Sequence, residues 1–426
     1  MSKIFCIGLG KLGLIFSQIL AANGHDVIGY DVNPEIKKFI KKNPRSIEPH
    51  LNRLIKKNKK KFIFGDDFQK NISNTDAAFL ILPTPSKKNG EFSNQYIKNT
   101  LDKLSRYLKN KNQYIINITS TVNPGSCENF IKYIEKKYKL KHGKEFLITY
   151  NPHLIALGSI YDDVINSDVV LVGSDLEYGH SFLKKMYKKI YKKNINKIKC
   201  LNLKEAETAK IAINSFVTMK ITYTNTISQI ADKIKKIDSS KILEAIGFDK
   251  RIGHKYLSLG ALYSGPCFPR DNINFSFFLK KNKLDNSLPI AVDKINDKQL
   301  KRYTDVAEKY KHLLSEPVTI GICGLSYKQN SDIVTQSPGY LLMENYKKKY
   351  KVFFYDKYIS RGYKNQIFSL EELYKKCNFL FICYKDKEFI NLEKFKVNNK
   401  KIVVDMWNFL NMDNKNIILK KIGIST

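Results

Sequence analysis

The run Lys3-Ile4-Phe5-Cys6-Ile7-Gly8-Leu9-Gly10-Lys11-Leu12-Gly13 decides the fold. Its apolar residues 4–7 read as a buried parallel strand, glycines follow at 8, 10 and 13, and an apolar helical pattern over 14–22 comes directly after. In such a turn Gly8 permits the tight bend, Gly10 lets backbone approach a pyrophosphate and Gly13 lets the helix pack closely, while the helix N-terminus attracts the anion. The next strand, Asp26-Val27-Ile28-Gly29-Tyr30, ends at Asp31, placed to accept hydrogen bonds from a ribose diol and to repel a 2′-phosphate. NAD, in preference to NADP, is the expected cofactor. A nucleotide-free α/β turn is the plainer alternative.

Working outward, strand patterns at 77–82, 114–119, 146–149 and 169–172 alternate with helical ones, which predicts a doubly wound parallel sheet. Near Asn202 the pattern changes to one long helix over 202–236. Asn202 and Glu205 have capping-box spacing, and apolar residues recur at 206, 209, 213 and 216, then at 227, 230 and 234. A helix of this length is expected to serve as a spine and a dimer surface. A second α/β region begins at Val318-Thr319-Ile320-Gly321-Ile322-Cys323, continues through Val352-Phe353-Phe354-Tyr355-Asp356 and 379–383, and closes at Ile402-Val403-Val404-Asp405. The expected α/β fold therefore has two Rossmann-like doubly wound domains, 1–200 and 301–426, joined by a long central helix and a helical middle domain, 201–300. No internal repeat is short enough to suggest a solenoid.

A chain of 426 residues exceeds what one hydrophobic core usually serves, which agrees with several domains. No apolar run approaches the ~20 residues that cross a bilayer, so membrane insertion is not expected and a cytoplasmic protein is. The seven cysteines are scattered, without metal-ligand spacing; several lie in apolar strand-like runs, and most are expected to be reduced core residues. The net charge of +34 raises nucleic acid as a partner. Arginine is confined to 45, 53, 106, 251, 270, 302 and 361, however, while lysine is spread along the whole chain. That is biased usage with solvated lysine faces, not a focused binding stripe, and it argues against nucleic acid. The charge favours an anionic substrate.

Chemistry concentrates in Gly265-Pro266-Cys267-Phe268-Pro269-Arg270-Asp271, where a thiol, a cation and a carboxylate share a proline-bounded loop. A buried, inert Cys267 is one reading. The other is a nucleophile, because a nearby cation stabilises the thiolate that attacks carbonyl carbon. On the long helix, Lys210 and Asn214 are four residues apart and share a face. Lysine ordinarily belongs to a solvated face, yet Ala209, Ile211, Ala212 and Ile213 around it are small or apolar. A partly buried lysine beside an asparagine suits a developing alkoxide.

These residues resemble the UDP-glucose/GDP-mannose dehydrogenase family, the NAD-dependent nucleotide-sugar 6-dehydrogenases. The resemblance runs through the Gly8 to Gly13 turn, Pro83-Thr84-Pro85, Ser120-Thr121-Val122, the Glu207 to Asn214 stretch, Arg251-Ile252-Gly253, the Cys267 segment and Gly324-Leu325-Ser326-Tyr327-Lys328. It implies a hydroxymethyl carbon oxidised twice without release of the aldehyde, giving a nucleotide-linked uronic acid for surface polysaccharide. It implies that Asp271 with a water assists the first deprotonation, that Lys210 and Asn214 stabilise oxygen charge, and that Cys267 forms a thiohemiacetal and then a thioester. Thr121 matches the threonine at the nicotinamide, Thr84 a cofactor contact and Arg270 the basic residue near it. Tyr256, Leu257, Ser258, Leu259 and Gly260 match the loop over the nucleotide sugar, with Ser264 and Lys328 as further substrate contacts. Arg251 matches an arginine that reaches a neighbouring subunit's site, so a homodimer or larger assembly is implied.

Three departures from the family pattern stand out. Asn151-Pro152-His153 occupies the place of a motif ending in Glu, with Leu157 at a second acidic position. Thr335 replaces an arginine, a planar multi-donor group, and the glycine-rich run before the nucleophile reads Tyr263-Ser264-Gly265-Pro266. His153 has two readings: a base that activates water for hydrolysis, or a contact to phosphate or sugar. Weakened hydrolysis would divert the product to an aldehyde or an acyl-transfer product. A nucleotide-sugar-binding relative without turnover is the remaining alternative, against which the retention of Cys267, Lys210, Asn214 and Asp271 argues.

Overall fold

The opening run folds as expected: β1 (Lys3–Ile7) is followed by α1 (Lys11–Ala22), and Ile4 and Phe5 are wholly buried, each contributing roughly 1.5–3 kcal/mol on leaving water. This computed structural model describes residues 2–42, 46–191, 195–360 and 362–425. Contacts divide the chain into two compact units, residues 1–213 and 214–426.

In the first unit the chain continues through β2 (Asp26–Tyr30), α2 (Pro34–Lys41), α3 (Leu51–Lys57), β3 (Phe62–Phe64), α4 (Phe68–Ser73), β4 (Ala77–Leu80), α5 (Gln95–Ser105) and β5 (Tyr114–Ile118). It goes on through α6 (Ser126–Tyr138), β6 (Phe146–Tyr150), α7 (Ile160–Ile165), β7 (Val170–Gly173), α8 (Glu177–Lys188) and β8 (Ile198–Leu201) to α9 (Leu203–Ser228), which crosses the boundary between the units. The sheet order is β3-β2-β1-β4-β5-β6-β7-β8, with the order reversing between β1 and β4, so the loops after β1, β4 and β5 border the crevice where such sheets take ligands. One apolar cluster places Phe16, Leu183 and Tyr187 on one face of the sheet, and another places Leu101, Phe130 and Ile134 on the other. That is the doubly wound arrangement the alternation predicts. One pairing departs from the parallel expectation, because β6 meets β7 antiparallel, at Tyr150 and Gly173. The only helix between them, α7, has six residues and spans about 9 Å, short of what a return crossover along a strand needs.

The second unit holds the rest of α9, then α10 (Ser239–Gly247), α11 (Phe268–Lys281) and α12 (Ser287–Tyr310) as the helical middle. A five-stranded parallel sheet follows, built from β9 (Thr319–Cys323), α13 (Pro338–Tyr346), β10 (Lys351–Tyr355), α14 (Leu370–Lys376), β11 (Phe379–Ile382), β12 (Lys401–Asp405) and β13 (Ile417–Lys421), in the order β10-β9-β11-β12-β13. Two sequence expectations are corrected here. The long helix stops at Ser228 instead of running on to 236, because Arg302 on α12 donates to the Ser228 carbonyl at 3.2 Å and to its hydroxyl at 2.8 Å while pairing with Asp232. The guanidinium thus takes a carbonyl that helix continuation would have used. The second correction concerns the Cys267 segment, which is not a loop throughout: Cys267 is the N-cap of α11, Pro269 lies in its first turn, and Arg270 and Asp271 are helical.

A domain-scale repeat also emerges. Gly8 (φ 93°) donates to the Tyr30 carbonyl at 2.9 Å, and Gly324 (φ 96°) donates to the Tyr355 carbonyl at the same distance. Asp31 accepts from Leu9 N–H at 2.7 Å, and Asp356 from Leu325 N–H at 2.9 Å. A Cβ on Gly13 would stand 1.9 Å from the Gly8 carbonyl oxygen, and one on Gly339 2.1 Å from that of Gly324. The two turns are one design used twice.

Candidate active site

The turn after β1 is built for a dinucleotide. Its helix α1 starts at Gly10, which brings no side chain to cap the first N–H groups, and no acidic residue lies in the first turn. A Cβ on Gly10 would meet nothing within 4 Å, so the space in front of the helix N-terminus is open. Asp31 accepts from Leu9 N–H with one oxygen and from Asn33 N–H at 2.8 Å with the other, which fixes its carboxylate at the end of β2. These residues fit NAD: backbone donors for the pyrophosphate and a carboxylate for the ribose.

The loops after β4 and β5 complete that crevice. Buried Thr84 donates its hydroxyl to the Thr121 carbonyl at 2.8 Å, and Ser120 Oγ accepts from Leu82 N–H at 2.8 Å. The two threonines assigned to the cofactor are thereby held side by side.

α9 starts as the capping-box spacing predicts, with Asn202 N–H donating to Glu205 at 2.8 Å and Glu205 N–H donating to Asn202 at 2.9 Å. Lys210 and Asn214, one turn apart along it, are 6% and 8% exposed, so the buried reading of this face holds and the solvated one does not. Glu207, one turn before Lys210, is wholly buried. Burial lifts its carboxyl to about 7, against the pull of the Cys127 thiol and of two backbone N–H donors.

His153 follows β6 and packs on Phe16 of α1, ring centroids 4.2 Å apart, and edge-on to Tyr187 of α8. Its Nε2 is buried without a hydrogen-bond partner among the described residues. Burial, and secondarily the Lys210 cation, lower its pKa to about 3. Leu157 packs against the same apolar cluster.

In the second unit the head of α11 gathers the reactive set. Asp271, 1% exposed, accepts from Asn214 Nδ2 at 2.6 Å and from the Arg270 guanidinium at 3.0 Å. Cys267 is exposed and lies at the N-terminal end of the same helix, where the dipole favours negative charge. Five of the other six cysteines are buried in the cores and Cys200 is partly buried. The approach to Cys267 is fixed from α12: Asn296 accepts from Tyr263 N–H at 3.0 Å and returns a bond to the Tyr263 carbonyl at 3.2 Å, while Asp293 takes the Tyr263 hydroxyl. Gly265 (φ 79°) lies against the Tyr327 ring, where a Cβ would come within 2.7 Å, so the Cys267 segment abuts the stretch that carries Lys328. Ser264 and Lys328 are partly buried.

The remaining expected substrate residues divide. Tyr256 (φ 62°) and Ser258 are exposed, whereas Leu257 and Leu259 pack with Leu243 and Gly260 lies under the Trp407 ring, leaving backbone as their contact surface. Arg251 is exposed and pairs with Asp249 in its own chain. Sequence reasoning assigned no role to Glu207, Asn296 or Asp293. Glu207 entered only as the first residue of the stretch that carries the family resemblance, an acidic residue between the small apolar positions 206 and 209.

A glycine turn that fits NAD, joined in one chain to a carboxylate–amide–guanidinium cluster beside a cysteine, defines an NAD-dependent oxidoreductase. The chain matches the UDP-glucose/GDP-mannose dehydrogenase family in its NAD binding domain over residues 2–192, its central domain over 204–298 and its UDP binding domain over 321–412. It belongs to that family of nucleotide-sugar dehydrogenases. It is 30% identical over 347 residues to the UDP-glucose 6-dehydrogenase of Rickettsia typhi, covering 79% of this chain and 76% of that protein. It is 28% identical over 343 residues to UDP-glucose 6-dehydrogenase TuaD of Bacillus subtilis, covering 79% and 72%. In fold it is similar to a UDP-glucose dehydrogenase from Pyrobaculum islandicum, with a TM-score of 0.85, 24% identity and coverage of 100% and 98%.

Proposed function

We propose that the chain oxidises the C6 hydroxymethyl group of a nucleotide-linked hexose, a UDP-hexose first among the candidates, to the uronic acid, supplying a precursor of surface polysaccharide in the cytoplasm. NAD, when bound, accepts a hydride in each of two successive oxidations. The observation that carries the reading is the head of α11, where Asp271 is held by Asn214 and Arg270 next to exposed Cys267. Asp271, through a water, takes the hydroxyl proton, and Lys210 and Asn214 stabilise the oxygen that gains charge. The Cys267 sulfur adds to the aldehyde carbon, whose oxygen is protonated to give the thiohemiacetal. Loss of the second hydride and of the hydroxyl proton leaves a thioester. Water then cleaves the C–S bond, releasing the acid and the thiol.

The low basicity of His153 counts against its role as the hydrolytic base, because a group with pKa near 3 takes a proton from water poorly, and the burial of Nε2 beside Phe16 counts against its contact reading as well. The low basicity also gives weight to a second reading, in which thioester release is slow and aldehyde or an acyl-transfer product accumulates. A homodimer or larger assembly fits the exposed Phe216 and Tyr223 of α9 and Leu288 of α12, apolar surface suited to a second copy of the chain.

A panel of UDP- and GDP-hexoses, N-acetylated ones included, tests the reading by NADH formation and product mass. Two NADH per sugar acid supports the main route, and one NADH with aldehyde supports the second. Cys267→Ala should abolish acid formation, and undiminished acid output from that variant would refute the thioester route.

A further inference from the structure

One member of the Glu207 to Asn214 stretch has no part in the chemistry above. Glu207 projects from α9 into the head of α6, where one carboxylate oxygen accepts from Cys127 N–H at 2.8 Å and the other from Gly125 N–H at 2.5 Å. Gly125 is left-handed (φ 87°) and has no side chain with which to cap α6, so these donors are met by a residue about 80 positions further along the chain. α9 is also tied to this region by Lys204, which pairs with Glu128 at 2.7 Å.

The anchored loop, 119–125, is the one that carries Thr121. Its start is fixed to the β4 side by Ser120 Oγ on Leu82 N–H and by the Thr84 hydroxyl on the Thr121 carbonyl. Its end is held by Asn123, whose side chain donates to the Phe92 carbonyl at 3.1 Å, and by Glu207, which ties it to α9. A cap that served α6 alone would be met by a local Ser, Thr, Asp or Asn at the helix head. Here the cap comes instead from the helix that also bears Lys210, one turn away.

We propose that Glu207 is a positioning residue for the cofactor: it locks the Thr121 loop in the conformation that receives the nicotinamide and ties that loop to the helix carrying Lys210. The inference rests on the reading of Thr121 as a nicotinamide contact and is independent of the sugar and of the thioester route.

The test is NADH binding to the full chain, followed by cofactor fluorescence with no nucleotide sugar present. Glu207→Gln keeps the volume but turns an amide N–H2 toward one of the two backbone donors, so one anchor is lost. A ligand that needs a pinned loop binds with an apparent Kd divided by the pinned fraction, and loss of one such bond should raise the NADH Kd about tenfold. If the carboxylate only caps α6, the melting temperature falls and the NADH Kd stays within about twofold of wild type, which overturns the proposal. Should Glu207→Gln fail to fold, Glu207→Asp, which keeps the charge and shortens the reach, is held to the same criterion. A measurement on the unaltered chain stands beside both: NADH should slow amide exchange across 119–127, and unchanged exchange there would overturn the proposal equally. Wild-type binding is measured alongside, so failure of the cofactor reading, seen as no binding by wild type, is distinguishable from failure of this inference, seen as equal binding by both proteins.

Discussion

His153→Phe separates structure from chemistry at one of the positions read in sequence as a departure from the family pattern. The wild-type ring lies on Phe16 at 4.2 Å with Nε2 buried and unpartnered among the described residues. A buried polar atom left without a bond costs about 1–3 kcal/mol, and phenylalanine offers the same stacking surface without that atom. The variant should therefore be more stable than wild type at pH 7 by about 1 kcal/mol, a rise of roughly 2–4 °C in melting temperature for a unit of this size. The pH dependence is sharper. The folded pKa lies near 3, below the ordinary value of 6.5, so the unfolded chain binds more protons between those limits and stability is lost as pH falls through that window. The slope from this group is on the order of 1.4 kcal/mol per pH unit between those two values; above pH 6.5 its contribution is complete, and the variant lacks the slope at every pH. Urea melts of both proteins at pH 7, 6, 5 and 4 give the difference directly, free of contributions the two share. A variant less stable than wild type at pH 7, or a difference that does not grow on acidification, would refute the account of a neutral imidazole trapped by burial. Acid release is read in the same variant: a loss confined to that phase, with the first NADH burst intact, would restore His153 to hydrolysis.

Asp31→Asn keeps an acceptor for Leu9 N–H but removes the charge that repels a 2′-phosphate; the preference for NAD over NADP should fall by roughly tenfold in Kd ratio, and an unchanged ratio would count against the ribose assignment. Gly13→Ala puts a Cβ 1.9 Å from the Gly8 carbonyl oxygen, a backbone atom that moves only with the whole turn; overpacking of about 1–3 kcal/mol and weakened NADH binding should appear together, in melts and in fluorescence titration.

The residues that declared the fold in sequence were those whose partners are near in sequence or whose pattern is periodic. The buried run before Gly8, the carboxylate closing β2 and the reciprocal cap of Asn202 and Glu205 each take their meaning within a few residues, and each stands in the structure. What was hidden depends on partners far along the chain. Arg302 ends α9 from 74 residues away, and Glu207 reaches a helix head about 80 residues before it. Nothing in the local pattern of either segment carries that information. The Cys267 stretch is a different case: proline was read as a loop marker, although the first turn of a helix tolerates it equally well, and Asp271 N–H bonding back to the Cys267 carbonyl at 2.8 Å shows which of its two roles applies.

The repeated turn keeps one geometry in two different settings. In the first unit only two residues, Leu9 and Gly10, separate Gly8 from α1, and Asp31 is partly exposed, with one backbone N–H on each carboxylate oxygen. In the second, residues 325–337 intervene between Gly324 and α13, and Asp356 is 3% exposed. Its oxygens are taken by Leu325 N–H, Ser326 N–H, the Ser326 hydroxyl and Tyr358 N–H. A carboxylate so fully engaged cannot accept from a ribose diol without breaking bonds to its own backbone. The helix that would cradle a pyrophosphate is meanwhile capped by the Ser337 hydroxyl on Tyr340 N–H at 3.1 Å. The second turn has therefore kept the geometry of a dinucleotide site and lost both of its binding elements. What it carries instead is the inserted stretch, whose Ser326 is held by Asp356 and which includes Lys328, the position proposed to contact the substrate.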